Sequence, residues 1–115
     1  EHDLLDSTIV WVSGEFGRTT KIDRDPPWNG GRNHYPTCFS ALVAGGGFRG
    51  GCVVGKSDET ASHVVARPVT PVDFLGSIYE RCGIDPDGEM PNDVGKKLTI
   101  LPPQSEHGRL KEIYA

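Results

Sequence analysis

Thr8-Ile9-Val10-Trp11-Val12-Ser13-Gly14-Glu15-Phe16-Gly17-Arg18-Thr19 is a β-branched, apolar run that stops at a glycine and passes at once to a carboxylate, a second glycine and an arginine. A continuous apolar run of this length predicts a strand over 8–13, buried on both faces. In α/β sheets, polar residues just past a strand's carboxyl end gather into sites, and Gly14 and Gly17 let the backbone turn sharply there. Working outward, the next cluster with chemistry is Gly30-Gly31-Arg32-Asn33-His34-Tyr35. A carboxylate at a strand end and a histidine in a glycine-rich loop are parts of a metal or phosphate-ester site; neither makes a whole one. Residues 20–36 carry almost no apolar periodicity and hold Asp23, Arg24, Asp25, Pro26, Pro27 and Trp28. A loop this long in a small domain is functional or covered by something else.

The pattern of strand followed by glycine recurs. Residues 39–44 read as a second strand ending in Gly45-Gly46-Gly47, and 52–55 as a short third one. A polar turn over 56–62 leads to another extended piece, 63–67, closed by Pro68. The clearest helix start is Thr70-Pro71-Val72-Asp73, with Thr70 as N-cap, Pro71 in the first helical position and Asp73 as a favourable charge at the positive helix end. Phe74, Leu75, Ile78 and Tyr79 recur at helical spacing, and Cys82-Gly83 stops the helix. An acidic loop follows over 84–92. A last strand is expected over 97–101 before Pro102-Pro103, and a short strand or helical turn over 108–115. Residues 1–5 read as the end of a helix. The fold class is therefore α/β: a few strands, one main helix and long loops in a single body spanning 1–115.

Length allows one domain with one core, since the chain has 115 residues. A net charge of −4 with no lysine or arginine run gives no phosphate-tracking stripe, so nucleic acid is not an expected partner. No apolar segment approaches the ~20 residues of a bilayer-spanning helix, so no membrane span is expected. The chain starts at Glu1 and reads as an excised piece whose parent could have carried an export signal. Three cysteines, Cys38, Cys52 and Cys82, are odd in number and widely spaced, which argues for free and mostly buried thiols rather than a disulfide framework or a zinc knuckle.

The ordered series Val12-Ser13-Gly14-Glu15-Phe16-Gly17-Arg18-Thr19, Gly30-Gly31-Arg32-Asn33-His34-Tyr35-Pro36, Gly45-Gly46-Gly47, Gly50-Gly51-Cys52-Val53-Val54-Gly55, Arg67-Pro68-Val69-Thr70-Pro71-Val72-Asp73 and Gly83-Ile84-Asp85 resembles a family of uncharacterised bacterial, planctomycete-type sulfatase-like proteins. That family lies in the alkaline phosphatase/sulfatase superfamily, and the resemblance covers nearly the whole chain. It implies a carboxyl-terminal part of a larger sandwich, with nucleophile and first metal carboxylates on earlier strands. It implies a sulfate or phosphate ester substrate for the parent, a divalent metal (zinc, calcium or magnesium) incomplete in this piece, Glu15 and His34 as metal ligands, and His34, Arg18 and Arg32 as catalytic residues. The chain departs from the superfamily pattern twice. Phe16 stands where phosphatases and sulfatases often carry a ligating histidine, and Asn33 where many relatives carry aspartate.

Each candidate has a plainer reading. Glu15 could pair with Arg18 or Arg32 instead of a metal, and His34 could simply face solvent. Arg18 and Arg32 could clamp an anion's oxygens or bridge to Glu15 or Asp23. Trp28 could line a pocket or act as a lid. His63 and His107 have no second ligand nearby in sequence. The triple glycine lacks the lysine and hydroxyl residue of a phosphate loop and reads as tight backbone packing. A shared site requires Glu15 and His34 to lie near each other. Strands 8–13 and 39–44 exceed what one helix can cover, so the isolated chain is expected to self-associate or to expose apolar surface. A non-catalytic anion- or glycan-binding domain is the alternative to a hydrolase segment.

Overall fold

The computed structural model describes residues 2–27 and 29–115; Trp28 and the two roles weighed for it lie outside the described residues. The strongest local signal becomes the one long element. Helix α1 spans Pro71–Arg81, with Thr70 extended ahead of it. The Thr70 hydroxyl accepts from the Asp73 amide at 3.2 Å and donates to the Asp73 carboxylate at 2.7 Å, so one side chain satisfies an orphan donor and orients an acid. The helix closes where Gly83 turns left-handed, at φ 76°, and the Ile84 amide reaches back to the Tyr79 carbonyl.

Among the described residues, six short strands make three two-stranded pairs. Strand β1 (Ile9–Ser13) pairs with β4 (Ala41–Gly45). Strand β2 (Gly17–Arg18) pairs antiparallel with β3 (His34–Tyr35), and β5 (Lys56–Ser57) antiparallel with β6 (Val64–Ala66). Single 3-10 turns occupy Leu4–Asp6 and Lys111–Ile113. The fold is mixed α/β, with small sheets, one main helix and loops.

Several expectations need correction. Residues 8–13 and 39–44 were expected to be buried on both faces, yet Trp11 is 53% exposed, Val12 60% and Leu42 57%. A strand with a single sheet neighbour keeps an open edge, and its side chains stay exposed unless a second layer packs on them. No strand forms over 97–101; Thr99 makes only an isolated bridge to Glu89. Pro86 and Pro91 flank the facing segment and cannot donate to a ladder, so the pairing does not extend. Residues 52–55 are not a strand either. Gly51 and Gly55 are left-handed, at φ 73° and 85°, and pairing begins only at Lys56. The helix end expected over 1–5 is the 3-10 turn at 4–6; of the two forms expected for the 108–115 tail, a helical turn occupies Lys111–Ile113, and Tyr114 beyond it is extended and bridges Phe48. The 20–36 loop is not structureless, because it contains β3 and a bridge between Asp23 and Gly31. The thiols are free as expected but not buried: Cys38 is half-buried, while Cys52 and Cys82 are exposed.

The chain divides into two compact units, Glu1–Ile9 with Ala44–Cys52 and Val69–Ala115, and Val10–Val43 with Val53–Pro68. The first contains α1 and a small core of Phe48, Leu101, Leu110 and Ile113. Asp73 belongs to that core rather than to the surface. It is fully buried and accepts from the Ser105 amide at 2.9 Å, from the Ser105 hydroxyl and from Thr70. Burial alone would raise its pKa, but the hydrogen bonds from Ser105 and Thr70 outweigh it and hold the carboxyl below the usual aspartate value. Ser77 is equally buried, donating to the Asp73 carbonyl at 2.7 Å and accepting from the Leu110 amide at 2.8 Å. Arg109 is buried against Gly76, where a Cβ would overlap its guanidinium. Its charge is met by Asp87 at 3.0 Å, Glu80 at 3.7 Å and Asp73 at 4.0 Å.

The carboxyl-terminal residues are laced to the same unit. The Ala115 amide donates to Gly47 and the Arg49 amide to Ile113, both at 2.8 Å. The Tyr114 hydroxyl donates to Glu80 at 2.6 Å, with the Phe48 ring edge-on at 5.9 Å and the Arg81 guanidinium 5.4 Å from the ring centroid. The triple glycine is tight backbone packing: a Cβ at Gly46 would strike Ile9, and one at Gly47 the Arg81 guanidinium.

Candidate functional site

The second unit holds Glu15, Arg18, Arg32 and His34. Its organising piece is the β2–β3 ribbon, in which Gly17 faces Tyr35 and Arg18 faces His34. Gly17 is buried, and a Cβ there would collide with the Cys38 carbonyl and lie 2.8 Å from the Tyr35 carbonyl oxygen. The absence of a side chain is what lets these strands and the 38 segment close together.

Directly opposed residues in an antiparallel pair project from the same face. Arg18 and His34 are therefore neighbours, and Phe16 joins them. Its ring lies 3.9 Å from the His34 ring, tilted by 34°, and 5.4 Å from the Arg18 guanidinium carbon. The aromatic face takes the cation while its other contacts orient the imidazole. Phe16, which cannot ligate a metal, is thus the side chain that meets His34.

The arginines are braced by backbone. Arg18 donates to the Arg32 carbonyl at 3.4 Å, and Arg32 donates to the Thr19 and Thr20 carbonyls at 2.8 and 2.9 Å. The Thr19 amide donates to the Asn33 carbonyl at 2.9 Å, and the Asn33 amide to the Thr19 hydroxyl at 3.0 Å, closing the loop on itself. Glu15 is exposed in the bend before β2. Asn33 has a role of its own: its side-chain amide donates to Asp23 at 3.1 Å, and this bond, ahead of one from the Asp25 amide, holds the Asp23 carboxyl below its usual pKa. An aspartate at position 33 would place two carboxylates together.

Sequence reasoning missed the support on the other strand face. The Tyr35 hydroxyl donates to the Ser62 carbonyl at 2.9 Å, and the Thr20 and Ser62 hydroxyls lie 3.4 Å apart. The loop carrying Ser62 is built on Asp58, which accepts from the Ser62 amide at 2.7 Å and the Thr60 hydroxyl at 3.2 Å and lies 3.4 Å from His63 Nδ1. The Ser62 amide bond is the largest of the contacts that hold the Asp58 carboxyl below its usual pKa. An aspartate followed by hydroxyl residues, Asp58-Glu59-Thr60-Ala61-Ser62, was the available signal of a self-capped loop.

Glu15 and His34 offer one carboxylate and one imidazole, whereas zinc takes about four donors and calcium or magnesium six or more. Among the described residues no group of three His, Cys, Asp or Glu side chains could hold a metal ion. Glu15 and His34 by themselves do not fill the coordination sphere of a divalent metal. Among the described residues, no helix is long and apolar enough to cross a membrane.

A family model described as a protein of unknown function (DUF1501) matches residues 1–107. No curated protein and no solved structure matches the chain.

Proposed function

The chain belongs to the DUF1501 family of unknown function, and from that starting point we propose that it is the carboxyl-terminal segment of a sulfatase-like hydrolase of phosphate or sulfate esters, in which Arg18 and His34 form an anion-recognition face. The observation that carries this reading is the register of β2 on β3. It sets a guanidinium and an imidazole opposite each other around one aromatic ring. A guanidinium and an imidazole at directly opposed positions present N–H donors to one anion lying between them. A tetrahedral oxyanion supplies the oxygens that Arg18 can take bidentately and that an N–H of the His34 ring can reach. Arg32 braces the turn that carries Arg18. Strands β1 and β4, exposed in this chain, become interior strands of an alkaline-phosphatase-like sandwich in the parent. A divalent metal would need donors beyond Glu15 and His34, so no step is assigned to one.

A non-catalytic anion- or glycan-binding role is the second reading, favoured by Phe16 at a position where the superfamily often ligates. The same face serves both, and the chain 1–115 turns over no ester in either, because the resemblance places the superfamily's nucleophile on strands other than those of 1–115.

The test follows the His34 ring protons by NMR in chain 1–115 while sulfate or phosphate is added. A saturable shift of His34, lost in Arg18→Ala, is the expected result. An unmoved His34, or equal binding in Arg18→Ala, removes the anion face. Hydrolysis of an aryl sulfate or phosphate by the pure chain, abolished by a point substitution within it, refutes the claim that it is inactive alone.

A further inference from the structure

We propose that Asp58 is a positioning residue for the Arg18–His34 face, acting through Ser62 and the two strand-side contacts that Ser62 makes. This inference rests on the anion-face reading for its importance, but not for its geometry. Ser62 is the junction. Its carbonyl takes the Tyr35 hydroxyl, which comes from β3, and its hydroxyl meets Thr20, two residues past Arg18. One residue thus contacts both sides of the ribbon.

Ser62 is in turn set by Asp58. The carboxylate takes the Ser62 amide at 2.7 Å, and the Thr60 hydroxyl bridges, 3.2 Å from Asp58 and 2.9 Å from the Ser62 hydroxyl. The loop needs this anchor because Ala61 sits left-handed, at φ 55°, which an alanine holds only when its surroundings impose it. The Ala61 amide bonds back to the Asp58 carbonyl at 3.1 Å and the Asp58 amide to the His63 carbonyl at 2.9 Å, so Asp58 engages the loop through backbone and side chain together.

The consequence reaches the face through β3. Ladder pairing of two residues per strand is weak in itself. Tyr35 is one of the two residues of β3, and its hydroxyl bond to Ser62 is what adds a fixed point outside the ladder. His34 is the other residue, and its ring rests on Phe16. Removing the Asp58 carboxylate releases Ser62, then Tyr35 and Thr20, and the orientation of His34 against Phe16 and Arg18 relaxes. No residue in this relay touches the anion.

The experiment uses chain 1–115 and two readouts. The first, taken without any anion, is the ring-current shift that Phe16 imposes on the His34 ring protons. The second is sulfate affinity from the His34 titration. Asp58→Ala is expected to move the His34 signals toward those of an unstacked histidine and to weaken sulfate binding by about three- to tenfold, the effect of losing one or two hydrogen bonds. Tyr35→Phe, which deletes only the hydroxyl, is expected to do the same in smaller measure. Asp58→Asn retains an acceptor for the Ser62 amide and is expected to restore the stacked signals. Glu59→Gln, in the same loop, is the control. The fluorescence of Trp11, in the same unit as Asp58 and His34, together with far-UV circular dichroism, reports whether a variant still folds. If His34 keeps its ring-current shift in both Asp58→Ala and Tyr35→Phe, the positioning role is overturned, whatever sulfate does. If the shift moves as expected while wild-type chain binds no sulfate, the positioning role stands and the anion face falls.

Discussion

Replacing Tyr114 by phenylalanine removes one oxygen, and the structure fixes what that oxygen does. The hydroxyl donates to the Glu80 carboxylate at 2.6 Å across 34 residues of sequence, joining the chain's last turn to α1. Burial, and then the bond to Glu80, push the Tyr114 hydroxyl up to about 12 from an ordinary 10. A shift of that size corresponds to roughly 2.7 kcal/mol between protonation states, and partial exposure of the ring reduces the usable share to roughly 1–2 kcal/mol. A neutral donor on a carboxylate gives the same range by mutational experience, about 1.5–3 kcal/mol. Tyr114→Phe should therefore lower the thermal midpoint by about 5 °C near neutral pH. The pH dependence carries the sharper signature. A raised folded pKa means the stabilisation is complete below the unfolded value of about 10 and is lost as pH rises toward 12. The stability gap between wild type and Tyr114→Phe, from urea denaturation followed by circular dichroism, should be constant up to pH 9 and narrow above pH 10. Absorbance at the tyrosinate band should show a phenol titrating near 12 in wild type and none in the variant. Persistence of that high-pH phenol in Tyr114→Phe, or a gap that widens above pH 10, would refute the assignment.

Asp73→Ala leaves the Ser105 amide and hydroxyl and the Thr70 hydroxyl without their acceptor and removes a countercharge from Arg109; a loss of about 3–5 kcal/mol is expected by denaturant titration. Because the Asp73 pKa is depressed in the fold, its contribution is present above about pH 4, the unfolded aspartate value, and drains away as pH falls through the lower folded value, so wild type and Asp73→Asn should converge in acid. Gly17→Ala forces β2 off the Cys38 and Tyr35 carbonyls and should abolish the His34 ring-current shift; a normal His34 spectrum in that variant would contradict the ribbon. Trp11, Val12 and Leu42 are exposed on β1 and β4, so the chain should self-associate at high concentration or bind an apolar dye; a strictly monomeric, dye-silent chain in sedimentation and fluorescence would count against uncovered strands.

What was legible in the sequence was local. The α1 helix could be read because its start and stop are written in adjacent residues, Thr70 with Pro71 and Cys82 with Gly83. The burial of Asp73 could not, since its partners sit at Ser105 and Arg109, more than thirty residues on, and a carboxylate at the third helical position looks the same with or without them. Arg18 and His34 were each picked out by their glycine-rich neighbourhoods, but two-residue strands carry no periodicity, so nothing in the sequence opposed one to the other. Nor did the sequence hint at the Tyr35–Ser62 bond, which links segments 27 residues apart. The apolar runs at 8–13 and 39–44 were correctly taken as strands; their burial was overestimated because burial depends on a covering layer, which a run of valines does not specify.

The contact between Gly76 and Arg109 makes the tolerance of each position conditional on the other. A methyl group at 76 would occupy space that the guanidinium fills, and the guanidinium is there to balance Asp73, Glu80 and Asp87. Gly76→Ala in the native background should be severe, although alanine is a better helix former than glycine. Shortening residue 109 opens the space but strands three carboxylates. Recovery then requires a third change, the loss of one or two of those charges. Substitutions here are coupled in sign: removing the buried acid, the arginine or the glycine's open space alone costs stability, and only their combined replacement relieves it. Single-site scanning would record Gly76 as invariant and miss that the constraint is held by a residue thirty-three positions away.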